Sequence, residues 1–129
     1  MKRFLVCGDR EWANRPLMEA ILSKVPLDKY GTLIHGSCRG ADKMAGEIGK
    51  AMGYEILPFP ANWEKHGKSA GPIRNLRMLT EGKPDLVIAF HDDIVNSKGT
   101  ADMIKIASKA GVHVILINEK DDYIDLEVK

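Results

Sequence analysis

The loop from Gly36 to Gly40 contains the residues of this sequence that are best suited to binding an anion. It includes Ser37 and Arg39, follows a short apolar run, and precedes apolar residues at helical spacing from Ala41 onwards. Glycines let a backbone approach a ligand closely, a helix start offers unpaired N–H groups and positive dipole, and arginine supplies a fork of donors. The loop therefore suits a phosphate, although an ordinary strand-to-helix turn has the same glycine spacing.

A second candidate phosphate loop runs from Asn96 to Thr100. Lys98 is a cation, Gly99 allows close approach, and Thr100 can cap a helix or donate a hydrogen bond. The Gly-Lys-Ser/Thr order of a Walker A loop is absent, and no G-x-G-x-x-G follows the first apolar run. Neither ATP hydrolysis nor a dinucleotide fingerprint is indicated, and a simple capped helix start is the alternative.

Four arginines are distributed over three loops or helix starts: Arg10, Arg39, Arg74 and Arg77. Arg39 and Arg74 are the favoured anion contacts because each lies within about a turn of a glycine-bearing loop. Arg74 and Arg77 are three residues apart on one predicted helix face, where solvated arginines are the alternative.

Three carboxylates lie near the same loops and could act as acids or bases: Asp9, Asp42 and Asp102. The helix dipole alone would also explain Asp42 and Asp102, because both are close to predicted helix starts. Trp12 and Trp63 lie in predicted loops, where either could stack on a base or cover an edge of the core.

Alternating apolar runs and helical patterns predict the architecture. The predicted strands are Arg3 to Cys7, Thr32 to Ile34, Tyr54 to Leu57, Leu86 to Phe90 and His113 to Ile117. The predicted helices follow the first, second, third and fourth of these runs; the third spans Pro72 to Thr80, with Ile73, Leu76 and Leu79 inward, after a long polar loop from Ala61 to Gly71. This α/β alternation is typical of a mainly parallel sheet with helices on both faces. Ligands bind such sheets beyond the carboxyl ends of the strands, where the polar loops of this chain fall.

Composition narrows the classes of function. The 129 residues fit one domain, with residues 118–129 as an edge strand or a loose tail, and the net charge of +1 argues against a general nucleic-acid or membrane surface. Cys7 and Cys38 have no metal-ligand spacing, and His35 and His91 lack a third partner, so we expect neither a metal nor a cofactor. No signal peptide or membrane span is evident, which predicts a cytoplasmic protein.

Several blocks of the sequence resemble the YspA, cpYpsA-related SLOG family, from Lys2 to about Ile117. They read V-C-G-D-R-E-W, H-G-S-C-R-G-A-D, F-P-A-N-W-E-K-H-G-K-S-A-G-P-I-R-N-L-R-M and D-L-V-I-A-F, with a later K-G-T-A-D-M. The family is similar to the Lonely-guy phosphoribohydrolases and to DprA-type domains, and its members occur in bacteria and phages. The resemblance implies a single Rossmann-like three-layer domain, with a mainly parallel five-stranded sheet, that binds a nucleotide or a nucleotide-derived, ADP-ribose-like ligand.

The comparison with the Lonely-guy enzymes separates phosphate binding from catalysis. The stretch Arg74 to Met78 is similar to their Arg-Lys-x-x-Met motif, with Asn75 in place of the lysine. The stretch from Gly99 is similar to their Gly-Thr-x-x-Glu motif, but Met103 stands where the catalytic glutamate belongs. The resemblance therefore implies a retained phosphate site and no retained glutamate, so an enzyme would need another carboxylate.

Three functions follow from these observations. The first is binding or sensing of a nucleotide or related ligand, with these binding residues: Gly8, Arg10, Gly36, Ser37, Arg39, Gly40, Asp42, Trp63, Arg74, Asn75, Lys98, Gly99 and Thr100. The second is hydrolysis of the N-glycosidic bond of a nucleotide, with Asp102, Asp42 or Asp9 as the catalytic carboxylate. The third is DprA-like interaction with nucleic acid, against which the near-neutral charge argues. The sequence leaves a homo-oligomer open.

Overall fold

The computed structural model describes residues 1–120 and the backbone of residues 124–126. Six strands are present there: β1 (Lys2–Gly8), β2 (Tyr30–His35), β3 (Glu55–Pro58), β4 (Leu86–Phe90), β5 (His113–Ile117) and β6 (Ile124–Leu126). Five α-helices connect them: α1 (Arg15–Leu22), α2 (Ala41–Met52), α3 (Trp63–His66), α4 (Ala70–Thr80) and α5 (Gly99–Lys109).

The sheet has the strand order β3-β2-β1-β4-β5-β6. The first five strands pair in parallel, and β6 pairs antiparallel with β5 at the edge. The five predicted strands and the predicted α/β class are confirmed. Strand order reverses between β1 and β4, whose last residues, Gly8 and Phe90, are register partners. This reversal is the place where parallel sheets bind ligands.

Two apolar layers sandwich the sheet between pairs of helices. Along β1, Phe4 and Val6 pack toward α1 and α2, whereas Leu5 and Cys7 pack toward α4 and α5. A strand buried on both faces reads as a continuous apolar run, which is why β1 was recognisable in the sequence. The carboxyl end of β1 therefore lies between both apolar layers, and its last residues, Cys7 and Gly8, line a cleft.

The segment predicted as a long loop, Ala61 to Gly71, is more ordered than expected. It contains α3 and a 3₁₀ turn at Gly67–Ser69, and α4 begins at Ala70 rather than at Pro72. The signal was the cap residue Asn62, whose side chain accepts a hydrogen bond from Lys65 N at 3.1 Å. In the predicted tail, residues 121–123 and 127–129 lie outside the described residues.

The predicted orientation of α4 is wrong at two of the three apolar residues that were expected inward. Ile73 and Leu76 have exposed fractions of 36% and 53%, whereas Arg74 and Asn75 are buried beside Met78. Leu79 is partly buried and packs against the core, as predicted. Helical periodicity identifies a buried face by its apolar residues, and this helix instead buries polar groups that hydrogen-bond to neighbouring loops. The inward polar face of α4 is part of the candidate site.

Candidate functional site

A cleft of about 390 Å³ opens at the switch point between β1 and β4. The turn after β1 is bonded to the end of β4, because Asp9 N donates to Phe90 O at 2.9 Å. A Cβ at Gly8 would collide with Phe90 O and with the Ala41 side chain, so only glycine fits where β1 leaves the sheet. The residues lining this first cleft are Cys7, Gly8, Asp9, Arg10, Glu11, Cys38, Arg39, Asp42, Arg74, Asn75, Met78, His91, Ser97, Lys98, Gly99 and Thr100.

A second cleft, of about 350 Å³, adjoins the first and extends toward α3. Four residues line both clefts and form the wall between them: Arg10, Cys38, Arg39 and Arg74. The other lining residues of the second cleft are Gly36, Ser37, Pro60, Ala61 and Trp63. Three of the four shared residues are arginines, so positive charge is concentrated between the two clefts.

The structure brings most of the predicted site residues together. In the first cleft lie Gly8, Asp9, Arg10, Arg39, Asp42, Arg74, Asn75, Lys98, Gly99 and Thr100; the second adds Gly36, Ser37 and Trp63. Gly40 and Asp102 line neither cleft. What these residues bind stays a prediction.

Arg74 is the central charge of the site. It is 7% exposed and projects from the inward face of α4. Its Nε donates to Asn75 Oδ1 at 3.0 Å, its Nη1 donates to Gly36 O, and both terminal nitrogens lie 3.6 Å from Cys38 Sγ. Within residues 1–120, no carboxylate oxygen lies within 4 Å of the guanidinium in an ion pair. The buried charge is thus held by neutral groups.

Asp42 stabilises the loop that follows β2. Its Oδ2 accepts hydrogen bonds from Gly36 N at 3.0 Å and from Cys38 N at 3.3 Å. Burial raises the pKa of this carboxyl to about 6, against the lowering effect of those N–H groups and of the charges of Arg74 and Arg10. A carboxyl that titrates near neutral pH in a cleft is suited to proton transfer.

Gly36 lies directly between Asp42 and Arg74. A Cβ there would be 2.9 Å from Asp42 Oδ2 and closer still to the Arg74 guanidinium. The positions of these two charged side chains therefore require a glycine here, whether or not a ligand also approaches its backbone. Ser37, the next residue, has a φ of 62°, a conformation that is rare for side chains other than glycine, asparagine and aspartate.

Asn75 connects α4 to α5. Its Nδ2 donates to Gly99 O at 3.1 Å and to Asp102 Oδ2 at 3.0 Å. Asp102 is therefore turned toward α4, in agreement with its absence from the lining of the cleft. Met103, at the position of the Lonely-guy glutamate, is fully buried in the apolar layer beneath α5.

The start of α5 is capped by Ser97, a residue that is not among the binding residues predicted from the sequence. Its Oγ accepts from Thr100 N at 3.2 Å and from Ala101 N at 3.3 Å. Serine before a helix is a common cap signal and could have been identified from the sequence. Gly99 faces open space, since no atom lies within 4 Å of a Cβ built there. The open backbone at Gly99 therefore remains suited to close ligand approach.

Gly40 has a packing function within the fold. Its φ is 76°, and a Cβ there would collide with the backbone carbonyls of Asp9 and Arg10. The adjacent Ala41 N donates to Asp9 O at 3.1 Å, which joins the loops after β1 and β2. The predicted direct approach of a ligand to Gly40 has no support in this geometry, because the glycine lies outside both clefts.

The mouth of the clefts is polar and aromatic. Arg39 is exposed and pairs with the exposed Glu11 at 2.5 Å, so its charge is already shared with a carboxylate. The Arg10 guanidinium lies 5.7 Å from the ring centroid of Trp63. Trp12, by contrast, is buried and packs edge-on against Phe90, with 5.4 Å between ring centroids. Of the two tryptophans, only Trp63 lines a cleft.

Two histidines stabilise the loops after β2 and β4 in the same way. His35 Nδ1 accepts from Ser37 N at 3.0 Å, and His91 Nδ1 accepts from Asp93 N at 3.0 Å. Burial and the nearby Arg74 charge lower the pKa of His35. Across residues 1–120 and 124–126, no three His, Cys, Asp or Glu side chains are placed to hold a metal ion, and no helix is both long and apolar enough to cross a membrane.

Two comparisons with known proteins give matches, and one of them names a family. The family model for the YspA, cpYpsA-related SLOG family matches residues 2–66. The Gene 61 protein of Mycobacterium phage D29 is 35% identical over 127 residues, which cover 93% of this chain and 99% of the phage protein. The region matched by the family model contains β1, β2, β3 and the loops after β1 and β2. The chain therefore belongs to the YspA, cpYpsA-related SLOG family.

Proposed function

We propose that the protein binds a nucleotide or a nucleotide-derived, ADP-ribose-like ligand, with its phosphates at the arginine wall between the two clefts. Membership of the SLOG family supports a nucleotide-related function. The observation that carries the proposal is Arg74, a buried guanidinium in the wall of a switch-point cleft that has no carboxylate ion pair in the described chain.

The electrostatics of Arg74 favour an anionic ligand. Burying a charge is costly unless an opposite charge or strong hydrogen bonds compensate for it. Asp42 is nearby but makes no ion pair with Arg74 within the described residues, and because burial raises the pKa of its carboxyl to about 6, its own charge is costly to maintain at neutral pH. A ligand phosphate would provide both charge and acceptor oxygens, and planar arginine matches phosphate geometry.

A thermal-shift screen of nucleotides, dinucleotides and ADP-ribose compounds tests the proposal. A ligand at a hundredfold over its Kd stabilises the folded chain by about 2.7 kcal/mol. In a domain of this size that corresponds to a rise in Tm of about 10 °C. If no phosphate-bearing compound raises the Tm, the proposed function is refuted.

Arg74→Met and Arg77→Met form a matched pair for locating the phosphate. Both change an arginine of α4, but Arg77 is exposed, pairs with Glu81 at 2.9 Å and lines neither cleft. A charge-assisted hydrogen bond contributes about 1.5–3 kcal/mol, so Arg74→Met should weaken binding by tenfold or more, and Arg77→Met should not. Arg74→Lys, which keeps the charge, serves if Arg74→Met does not fold. Equal affinities in all variants would place the phosphate elsewhere.

Hydrolysis of an N-glycosidic bond is the second candidate, favoured by Asp42 in the first cleft. The oxocarbenium-like transition state of such a reaction needs a nearby carboxylate or a base that activates water. With Met103 in the core and Asp102 bonded to Asn75, the carboxylates that line the first cleft are Asp42, Asp9 and Glu11. Glu11 is exposed and paired with Arg39, which leaves Asp42 and Asp9 as the candidates. We expect little release of free base from nucleoside monophosphates, and any turnover of larger ligands should disappear in Asp42→Asn or Asp9→Asn. Rapid base release from a monophosphate would make hydrolysis the better proposal.

A further inference from the structure

Trp63 presents a large aromatic surface to the second cleft. It is 49% exposed, whereas the other tryptophan is 5% exposed and belongs to the core. The guanidinium of Arg10 lies over the indole, 5.7 Å from its centroid, and both side chains line the cleft. Two flat, polarisable groups are therefore in contact at the surface of the cleft.

The fold holds Trp63 in place without using its ring for the core. It begins α3, whose ends are stabilised locally: Asn62 accepts from Lys65 N at 3.1 Å, and the Gly67 N–H donates to Trp63 O. No residue of this short helix is buried. Trp63 is thus a half-exposed tryptophan that is not part of the core and that lines a cleft.

The shared arginine wall determines which part of a ligand would reach Trp63. Arg74 and Arg10 line both clefts, so phosphates held there lie between the two spaces. The second cleft, at about 350 Å³, is large enough for part of a small ligand. A group attached to those phosphates can therefore extend along the second cleft to the indole.

The geometry points to a nucleobase subsite at the Arg10–Trp63 pair, for a nucleoside diphosphate or a larger ligand that contains one. The base stacks against this pair while the diphosphate lies along the shared wall. This inference rests on the proposed function and specifies the ligand class. Stacking on aromatic side chains tolerates all bases, because every base has a π-face. The subsite therefore distinguishes compounds with a base from those without one, rather than one base from another.

Calorimetric titration with inorganic pyrophosphate and with ADP, GDP, CDP and UDP tests the subsite. We expect the nucleoside diphosphates to bind more tightly than pyrophosphate to the wild-type chain. Trp63→Ala should weaken their binding by about five- to 150-fold, the effect of losing one stacked base, and leave pyrophosphate binding unchanged. Trp63→Phe should retain most of the affinity. Leu76→Ala is the matched control, because Leu76 is 53% exposed and lines neither cleft.

Intrinsic fluorescence gives a second readout. The nucleoside diphosphates should change the emission of the wild-type chain but not that of Trp63→Phe, which retains the buried Trp12 alone. Equal weakening of pyrophosphate and nucleoside diphosphate binding in Trp63→Ala would show a structural role and overturn the subsite. Unchanged nucleoside diphosphate binding in Trp63→Ala would also overturn the subsite, as would nucleoside diphosphates that bind the wild type no more tightly than pyrophosphate does. If pyrophosphate binding that depends on Arg74 is still observed, only the subsite fails and the proposed function stands. If no phosphate compound binds, both proposals fail.

Discussion

Replacing Asp42 with asparagine should stabilise the protein at neutral pH. The carboxyl is 5% exposed, and a single oxygen, Oδ2, accepts both loop N–H groups, from Gly36 and Cys38. Asparagine retains one carbonyl oxygen that can accept the same two bonds, and it carries no charge to desolvate. Asp42→Asn therefore removes the cost of a buried charge while it preserves the contacts that hold the loop.

The size and sign of the effect follow from the pKa of Asp42. Burial raises the pKa of Asp42 from 3.8 to about 6. At a pH between these two values, the folded chain therefore holds the proton of this carboxyl more tightly than the unfolded chain does. The resulting contribution to stability is complete below the unfolded pKa and is lost as pH rises through about 6. Two pKa units correspond to about 3 kcal/mol. Asp42→Asn should match the wild type near pH 4 and exceed its free energy of unfolding by up to about 3 kcal/mol at pH 7.

Urea unfolding of both proteins between pH 4 and pH 7.5 measures this difference. The comparison with the wild type cancels the contributions of the other titrating groups, and Asp28→Asn, at an exposed carboxylate before β2, is the control. A surface change of that kind should shift stability by less than about 0.5 kcal/mol. If Asp42→Asn is less stable than the wild type at pH 7, or if the difference does not grow with pH, the assignment of a costly buried carboxylate is wrong.

Three further changes separate roles within the loops. Gly99→Val should leave the free energy of unfolding within about 1 kcal/mol of the wild type. It should nevertheless abolish the thermal shift given by the best compound of the nucleotide screen, because the valine side chain fills open cleft. The control Ala110→Val, at the exposed end of α5 and in neither cleft, should leave that shift intact. Gly40→Ala should lower the Tm clearly more than Gly53→Ala, since both have positive φ but only Gly40 also lacks space for a Cβ, and equal losses would contradict this reasoning. Ser97→Ala should cost about 1 kcal/mol in urea unfolding through loss of the cap of α5, and no loss would mean that the cap contributes nothing.

The fold was largely predictable because its signals are local and consistent. Each parallel strand is a short apolar run, and α2 ends at Gly53, whose φ of 102° is the left-handed conformation that marks a helix end. The switch point between β1 and β4 was not readable in the same way, because strand order depends on pairings between distant segments. The polar loops of the sequence predicted only that the site lies beyond the carboxyl ends of the strands, and not which two strands flank the reversal.

The candidate site was predictable in its membership but not in its contacts. Position in the sequence identified Arg74 and Asn75, yet periodicity assigned the inward face of α4 to Ile73 and Leu76. A single sequence does not show that a buried arginine will find Gly36 O and Cys38 Sγ, which are 38 and 36 residues away. In the same way, the helix dipole was sufficient to explain Asp42 from the sequence, whereas the structure shows it accepting bonds from the loop after β2.

Gly36 couples the two charged groups of the site. Its N–H donates to Asp42 and its carbonyl accepts from Arg74, so the two peptide units that flank this residue are each held by a side chain that lines the first cleft. A phosphate beside Arg74 would add negative charge near Asp42 and raise the pKa of that carboxyl further, since a like charge disfavours ionisation. Protonation of Asp42 would in turn remove a negative charge that repels the phosphate, and by linkage the two effects are equal in free energy. Under the proposed function, anion binding and proton uptake at Asp42 thus favour each other through their charges, while Gly36 and Cys38 hold the carboxyl in place.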